Sequence, residues 1–186
     1  MRLQFNKPID TNNVFVISDL HLGHKNILRF EPSRYETFGT IENMDVALID
    51  MINEVLNEQS KLIILGDVAF NSKAMNNVNR LKGERYLVLG NHDNFGDDVY
   101  VKRYGFKGVY NIFEFGGILF SHYPVHPSEI GDGTSQGGRY IGNVHGHTHG
   151  RCVEQIPTSR YLNVCCENVK YKPVSLTSIL NYYEGL

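Results

Sequence analysis

The sequence of 186 residues has no tryptophan, only three cysteines and only six prolines. The cysteines, Cys152, Cys165 and Cys166, are odd in number and bunched late. That argues against a disulfide-stapled secreted scaffold and for a reducing, cytoplasmic setting. Positive charge is not in excess: eighteen Lys and Arg face twenty Asp and Glu, a formal charge of −2. A protein living on a broad basic footprint is thereby disfavoured, although a local cationic site stays open. No apolar run approaches the ~18 residues of a spanning helix. Residues 1–10 also lack the apolar core of a secretory signal. No repeat, low-complexity tract or linker divides the chain, so one domain over residues 1–186 is expected.

What the sequence has in quantity is glycine, eighteen, and histidine, eight. Their placement follows an alternation of strands and helices. Residues 14–17, 62–65 and 86–89 are short β-branched or apolar runs, as expected of strands buried on both faces. Residues 41–58 carry Met44, Leu48, Met51, Ile52, Val55 and Leu56 on one helical face, with Thr40 as N-cap. A Ser-capped helix is expected over 72–81, and a short one over 97–104. Beyond these, 109–115 and 118–120 read as a hairpin joined by Gly116-Gly117. Residues 123–141 form a long polar loop, and long loops are usually functional. Short strands at 141–145 and 161–166 and a helix over 175–183 close the chain.

Candidate ligands sit just after these strands: Asp19-Leu20-His21, Gly66-Asp67, Gly90-Asn91-His92-Asp93, His122, and Gly146-His147-Thr148-His149. In open α/β sheets, sites form outside the carboxyl ends of strands. Alternate residues leaving a strand can point to one side, which suits Asp19 with His21 and His147 with His149. Gly66, Gly90 and Gly146 permit turns that a side chain would obstruct. Imidazole, carboxylate and amide oxygen suit borderline divalent ions, namely Mn, Fe, Ni, Co or Zn. Each element alone is weak: Gly-Asp usually marks a turn, and a lone His is more often packed than ligating. Their ordered occurrence at five strand ends is what carries the inference.

This pattern resembles the calcineurin-like metallophosphoesterase superfamily over about residues 14–150. The stretch from Ser18 to Phe30 is similar to a branch of small members found in bacteria and their phages. The resemblance implies an α/β fold of four layers, αββα, with two mixed β-sheets flanked by helices. It implies a hydrolase acting on phosphoric ester bonds, with a binuclear centre of two divalent ions, manganese foremost. One metal would fall to Asp19, His21 and His149, and the other to Asn91, His122 and His147. Asp67 would bridge them. His92 would stand outside the ligand set as the phosphate-facing catalytic acid, and Asp93 would orient it.

The charge count adds a bottom-up reason for an anionic substrate. Two divalent ions, the carboxylates of Asp19 and Asp67 and a bridging hydroxide leave a local charge of about +1. Such a pair of ions serves in-line attack of the hydroxide on phosphorus. The expected substrates are small phosphoesters, phosphodiesters or nucleotides before duplex DNA. The segments 22–40 and 123–141 around the cleft balance Lys25, Arg29, Arg34 and Arg139 against Glu31, Glu36, Glu129 and Asp132. A DNA-repair-type nuclease and a non-catalytic interaction module are the competing readings.

Among the other residues, His24 either faces substrate or starts a helix at the surface. Arg139 is the candidate cationic substrate contact, and Lys25 and Arg29 read as a solvated helix face. His126 reads as loop-structural and His145 as packed behind the ligands. Cys165 and Cys166 read as a buried pair in a strand.

Overall fold

A computed structural model describes residues 2–3, 5, 9–131, 137–150 and 158–186. The strands are β1 (Arg2–Leu3), β2 (Val14–Ile17), β3 (Lys61–Ile64), β4 (Glu84–Val88), β5 (Phe106–Tyr110), β6 (Ile112–Phe115), β7 (Ile118–Ser121), β8 (Gly142–His145), β9 (Tyr161–Asn163) and β10 (Val174–Ser175). The helices are α1 (Ile27–Phe30), α2 (Pro32–Phe38), α3 (Ile41–Asn53), α4 (Ser72–Met75), α5 (Asp97–Tyr104) and α6 (Leu176–Glu184). One sheet has the order β10-β2-β3-β4-β5 and the other β1-β6-β7-β8-β9. Both are mixed. In the first, β2 to β5 run parallel and β10 antiparallel. In the second, only the β6–β7 pair is antiparallel.

Alternation along the strands decides which side chain enters which layer. Ile17, Leu62, Ile64 and Leu87 pack with Met44, Leu48, Ile49 and Ile52 of α3 and Tyr100 and Tyr104 of α5. Their neighbours Val14, Val16, Ile63 and Val88 turn the other way, against Phe113, Ile118, Phe120 and Val144 of the second sheet. Helix α6 adds Leu176, Ile179 and Tyr183 to this inter-sheet core. The result is two mixed sheets flanked by helices, the α/β architecture expected.

The local signals hold where they are local. The Thr40 side chain caps α3 by accepting from Asn43 N at 3.2 Å. Gly116 and Gly117, at φ of 59° and 77°, make the tight turn between β6 and β7. Four boundaries differ. The helix expected over 41–58 ends at Asn53, and a turn presents the still-buried Leu56. The segment expected as helix over 72–81 is capped by Asn71, and after Met75 it tightens into a 3-10 helix, Asn76–Arg80. The run 109–115 is two strands, because β5 completes one sheet and β6 enters the other across the single residue Asn111. Apolar alternation is the same in either sheet, so it carries no mark of that switch. The strand expected over 161–166 stops at Asn163, and Cys165 pairs alone with Ser18. Of the loop at 123–141, Pro127–Glu129 is a 3-10 helix and residues 132–136 lie outside the described ones. So does Cys152.

Candidate active site

The strands end, but their pairing continues into the turns beyond. Asp19 N donates to Gly66 O, His21 N to Asp67 O and Gly146 N to His122 O, at 2.9–3.0 Å. This draws together the ends of β2, β3, β7 and β8. Positive φ outside glycine is uncommon and strained. Five of the seven described cases are Asp19, His21, Asp67, His147 and His149, at φ between 51° and 66°. The paired residues of Asp19-x-His21 and His147-x-His149 therefore share a side through left-handed turns, not through continued strand alternation. Gly146 is required at its place: a Cβ there would collide with Ser18 Oγ and Asp19 Oδ2.

Asp67 Oδ2 is the focus of the site. It lies 3.6 Å from His21 Nε2, 3.6 Å from His122 Nε2 and 4.0 Å from His92 Nε2. Its other oxygen accepts from His92 N at 2.9 Å. Asp19 Oδ1 lies 3.5 Å from His21 Nε2 and 3.7 Å from His149 Nε2. Asp19 Oδ2 is held from behind by His147 N at 2.9 Å and the Cys165 thiol at 3.2 Å. The ligand atoms of Asp19, His21 and Asp67 lie within 4.8 Å of one another, and so do those of Asp67, His122 and His147. Asp67 belongs to both groups. Asn91 Oδ1 is 2.9 Å from His122 Nε2.

Three histidines share one orientation. The Nδ1 atoms of His21, His122 and His149 meet His24 Nδ1 (3.2 Å), Leu65 O (2.8 Å) and Glu167 Oε1 (2.7 Å). A carbonyl and a carboxylate only accept, so the Nδ1 of His122 and of His149 carries the proton. In their neutral form His122 and His149 then present the Nε2 lone pair to amide or carboxylate oxygens. Acceptor facing acceptor is repulsive unless a cation lies between. Asp19 Oδ1 and His21 Nε2 are moreover buried with no hydrogen-bond partner. An orphaned acceptor pair with N and O donors around it fits a divalent ion.

The electrostatics of His21 agree, whereas Glu167 and Asp19 raise the His149 imidazole against the effect of burial. Burial drives the His21 imidazole down to about 4 against the pull of Asp19, which leaves it neutral near pH 7. Burial also lowers His147 and His24. For Asp19, burial pushes the carboxyl up, but the surrounding histidines outweigh it and hold it ionised.

A cavity of about 680 Å³ opens over these groups. His21, Asp67, Asn91, His92, His147 and His149 line its floor. His24, Phe70 and Phe30 line a wall, with the His24 ring stacked on Phe70 at 3.7 Å. The His92 side chain, 42% exposed, is open to a ligand. Arg139 is not among the lining residues, and its guanidinium lies over the Tyr140 ring. His126 caps its 3-10 turn, accepting from Ser128 N. His145 is buried with Nδ1 on Gly146 O.

A family model of the calcineurin-like phosphoesterase superfamily domain matches residues 13–168. The chain belongs to this superfamily. Among relatives of the calcineurin-like chain, the uncharacterized protein MJ1445 of Methanocaldococcus jannaschii is 29% identical over 181 residues, covering 92% of this chain and 91% of that one. The Gene 66 protein of Mycobacterium phage L5 is 26% identical over 176 residues, covering 74% and 78%. The crystal structure of AQ665 from Aquifex aeolicus, a protein of unknown function, superposes with a TM-score of 0.65 at 26% identity, over 90% of this chain and 97% of that one. Membership of the calcineurin-like superfamily, which uses divalent metals, makes the chain a hydrolase of phosphoester bonds, and its clustered Asp and His residues are candidate metal ligands.

The sequence reading missed the roles of three residues around the site. Arg34, counted there as a rim cation, is 0% exposed and lies beneath the ligand turn. Glu167 holds both Arg34 and His149. Cys165, read from the sequence as half of a buried pair in a strand, reaches Asp19. Asp93, expected to orient His92, accepts from Asp67 N and Gly90 N at 2.8 Å and from Val68 N at 3.1 Å, and these bonds tie backbone loops together. Among the described residues no helix is long and apolar enough to cross a membrane.

Proposed function

We propose that the chain is a binuclear metal-dependent phosphoesterase that hydrolyses small phosphoesters, phosphodiesters foremost. The observation that carries the reading is Asp67 Oδ2 at 3.6 Å from both His21 Nε2 and His122 Nε2, with unpartnered Asp19 Oδ1 beside them. Asp19, His21, His149 and Asp67 would hold one ion; Asn91, His122, His147 and Asp67 the other. When bound, two such ions supply Lewis acidity and an acidified water for in-line displacement at phosphorus, and manganese is the first ion to try. The residues of the chain do the rest. Asp67 is anchored by its own turn and keeps its Oδ2 between the two histidine sets. His92 projects into the cavity, where its imidazolium meets the phosphate and gives a proton to the departing oxygen.

The cavity's charge favours small substrates. With Arg34 buried, the described residues of the two rim segments set Lys25, Arg29 and Arg139 against Glu31, Glu36 and Glu129. A duplex tracker needs several phosphate contacts, each adding about one unit of salt slope. The test is chelation followed by metal add-back, read as bis-p-nitrophenyl phosphate hydrolysis and as metal bound per chain. Two ions per chain and recovery on add-back are expected, with Asp67→Asn losing both. Full turnover after verified metal removal would refute the reading. Efficient, salt-sensitive cleavage of duplex DNA would transfer it to a nuclease.

A further inference from the structure

Two residues beneath the site form a connected device that neither the superfamily pattern nor the cavity accounts for. Arg34 on α2 is completely buried, and Glu167, beyond β9, nearly so. Arg34 Nε and Nη2 donate to Glu167 Oε2 at 3.1 and 2.7 Å. Arg34 Nη2 also donates to Asp19 O at 2.6 Å, and Nη1 to Leu20 O at 3.1 Å. Glu167 Oε1 receives His149 Nδ1 at 2.7 Å. One guanidinium and one carboxylate thus join α2, the left-handed turn after β2, and the turn after β8.

A buried ion pair is a poor way to gain stability, because both charges lose their water and an apolar pair of similar volume packs as well. Here Glu167 Oε2 takes the Arg34 fork and Oε1 takes His149 Nδ1, while the remaining Arg34 N–H bonds go to the carbonyls of Asp19 and Leu20. We propose that Arg34 and Glu167 are positioning residues for the metal centre. Glu167 keeps the His149 proton on Nδ1 and its Nε2 free. Arg34 locks Glu167 in place and holds the Asp19–Leu20 carbonyls so that Asp19 Oδ1 faces the same point. Neither residue touches substrate: Arg34 and Glu167 do not line the cavity. Glu167, although grouped near Glu31 and His149 as a possible ligand set, has both oxygens already engaged. This inference rests on the proposed ligand role of His149. The Arg34 fork reaches two carbonyls and a carboxylate at once, which a lysine cannot do.

The test combines ¹⁵N NMR of the His149 ring in metal-free protein with calorimetric manganese titration of the same variants. At a pH high enough to leave the ring neutral, the wild type should show His149 as the Nδ1–H tautomer. Glu167→Ala should mix the tautomers and weaken one ion by ~10–100-fold while sparing the other, the usual consequence of losing such a partner. Glu167→Gln has one oxygen for two demands, His149 Nδ1 and the Arg34 fork, so it should recover the tautomer and the affinity only in part. Arg34→Lys should fall between the two. An unchanged tautomer in Glu167→Ala refutes the proposal, and so does equal weakening of both ions. Wild-type protein that binds no manganese but shows the tautomer shift would refute the metal reading alone and leave the positioning of His149 standing.

Discussion

Asp93→Asn separates two jobs that one carboxylate could do. From the sequence, Asp93 is expected to orient His92; in the structure it accepts three backbone N–H groups, from Asp67, Val68 and Gly90. Hydrogen bonds to a charged group are worth about 1.5–3 kcal/mol each. The Asn side chain keeps one oxygen, which can take the place of Oδ2 and still serve Asp67 N and Gly90 N. Its NH₂ then opposes Val68 N–H, and one bond is lost outright. The expected destabilisation is about 1.5–3 kcal/mol. For a domain of this size each kcal/mol shifts Tm by roughly 2–4 °C, so a fall of about 3–12 °C follows. Asp93→Ala leaves all three donors unpaired and should fall two to three times further. Thermal unfolding of chelated protein is the assay, so that lost metal cannot contribute. A Tm unchanged within about 1 °C, with turnover abolished, would refute this reasoning and return Asp93 to His92.

Three further outcomes are expected. His92→Ala should retain both ions yet lose roughly 10²–10⁴ in kcat, less for a p-nitrophenolate leaving group that hardly needs a proton; metal content and kcat across leaving groups check it. Gly146→Ala should displace Asp19, costing ~1–3 kcal/mol by overpacking and releasing metal, which unfolding and metal analysis would register. Asp45, on α3, is pushed up to about 6 by burial, with Glu42 adding to the effect, while its Oδ1 accepts from Gly23 N. Lys25 and Lys73 line the same hollow. The folded state therefore binds more protons than the unfolded one from pH 3.8 to about 6, and stability falls as pH rises through that window. Asp45→Asn should raise Tm at pH 7 to 8 and leave it nearly unchanged at pH 4.

The parts of this protein that could be read in the sequence are those whose physics is local. Thr40 and Ser175 cap their helices with their own hydroxyls, and Gly116-Gly117 turns because glycine tolerates positive φ. The Asp, Asn and His residues at strand ends were legible because the C-terminal edges of neighbouring strands lie side by side. The unreadable parts depend on distant partners. Arg34 looks like an exposed helix residue until Glu167, 133 positions later, arrives beneath the same turn. Pro32, at the first turn of α2, was a usable start signal for that helix. The sheet switch at Asn111 had no signal, since both sheets accept the same alternation.

That switch has a consequence for how the molecule behaves without metal. Asp19, His21, Asp67, Asn91 and His92 follow strands of one sheet, and His122, His147 and His149 follow strands of the other. The proposed centre is thus a rivet driven through the seam between two halves of the molecule. Each ion bound to the folded chain and not to the unfolded one deepens the stability of the whole. It does so chiefly where the sheets meet, so metal loss and parting of the sheets become one linked equilibrium. Under metal scarcity the enzyme would loosen along its own catalytic edge first, while the α3-side core of the first sheet stays closed.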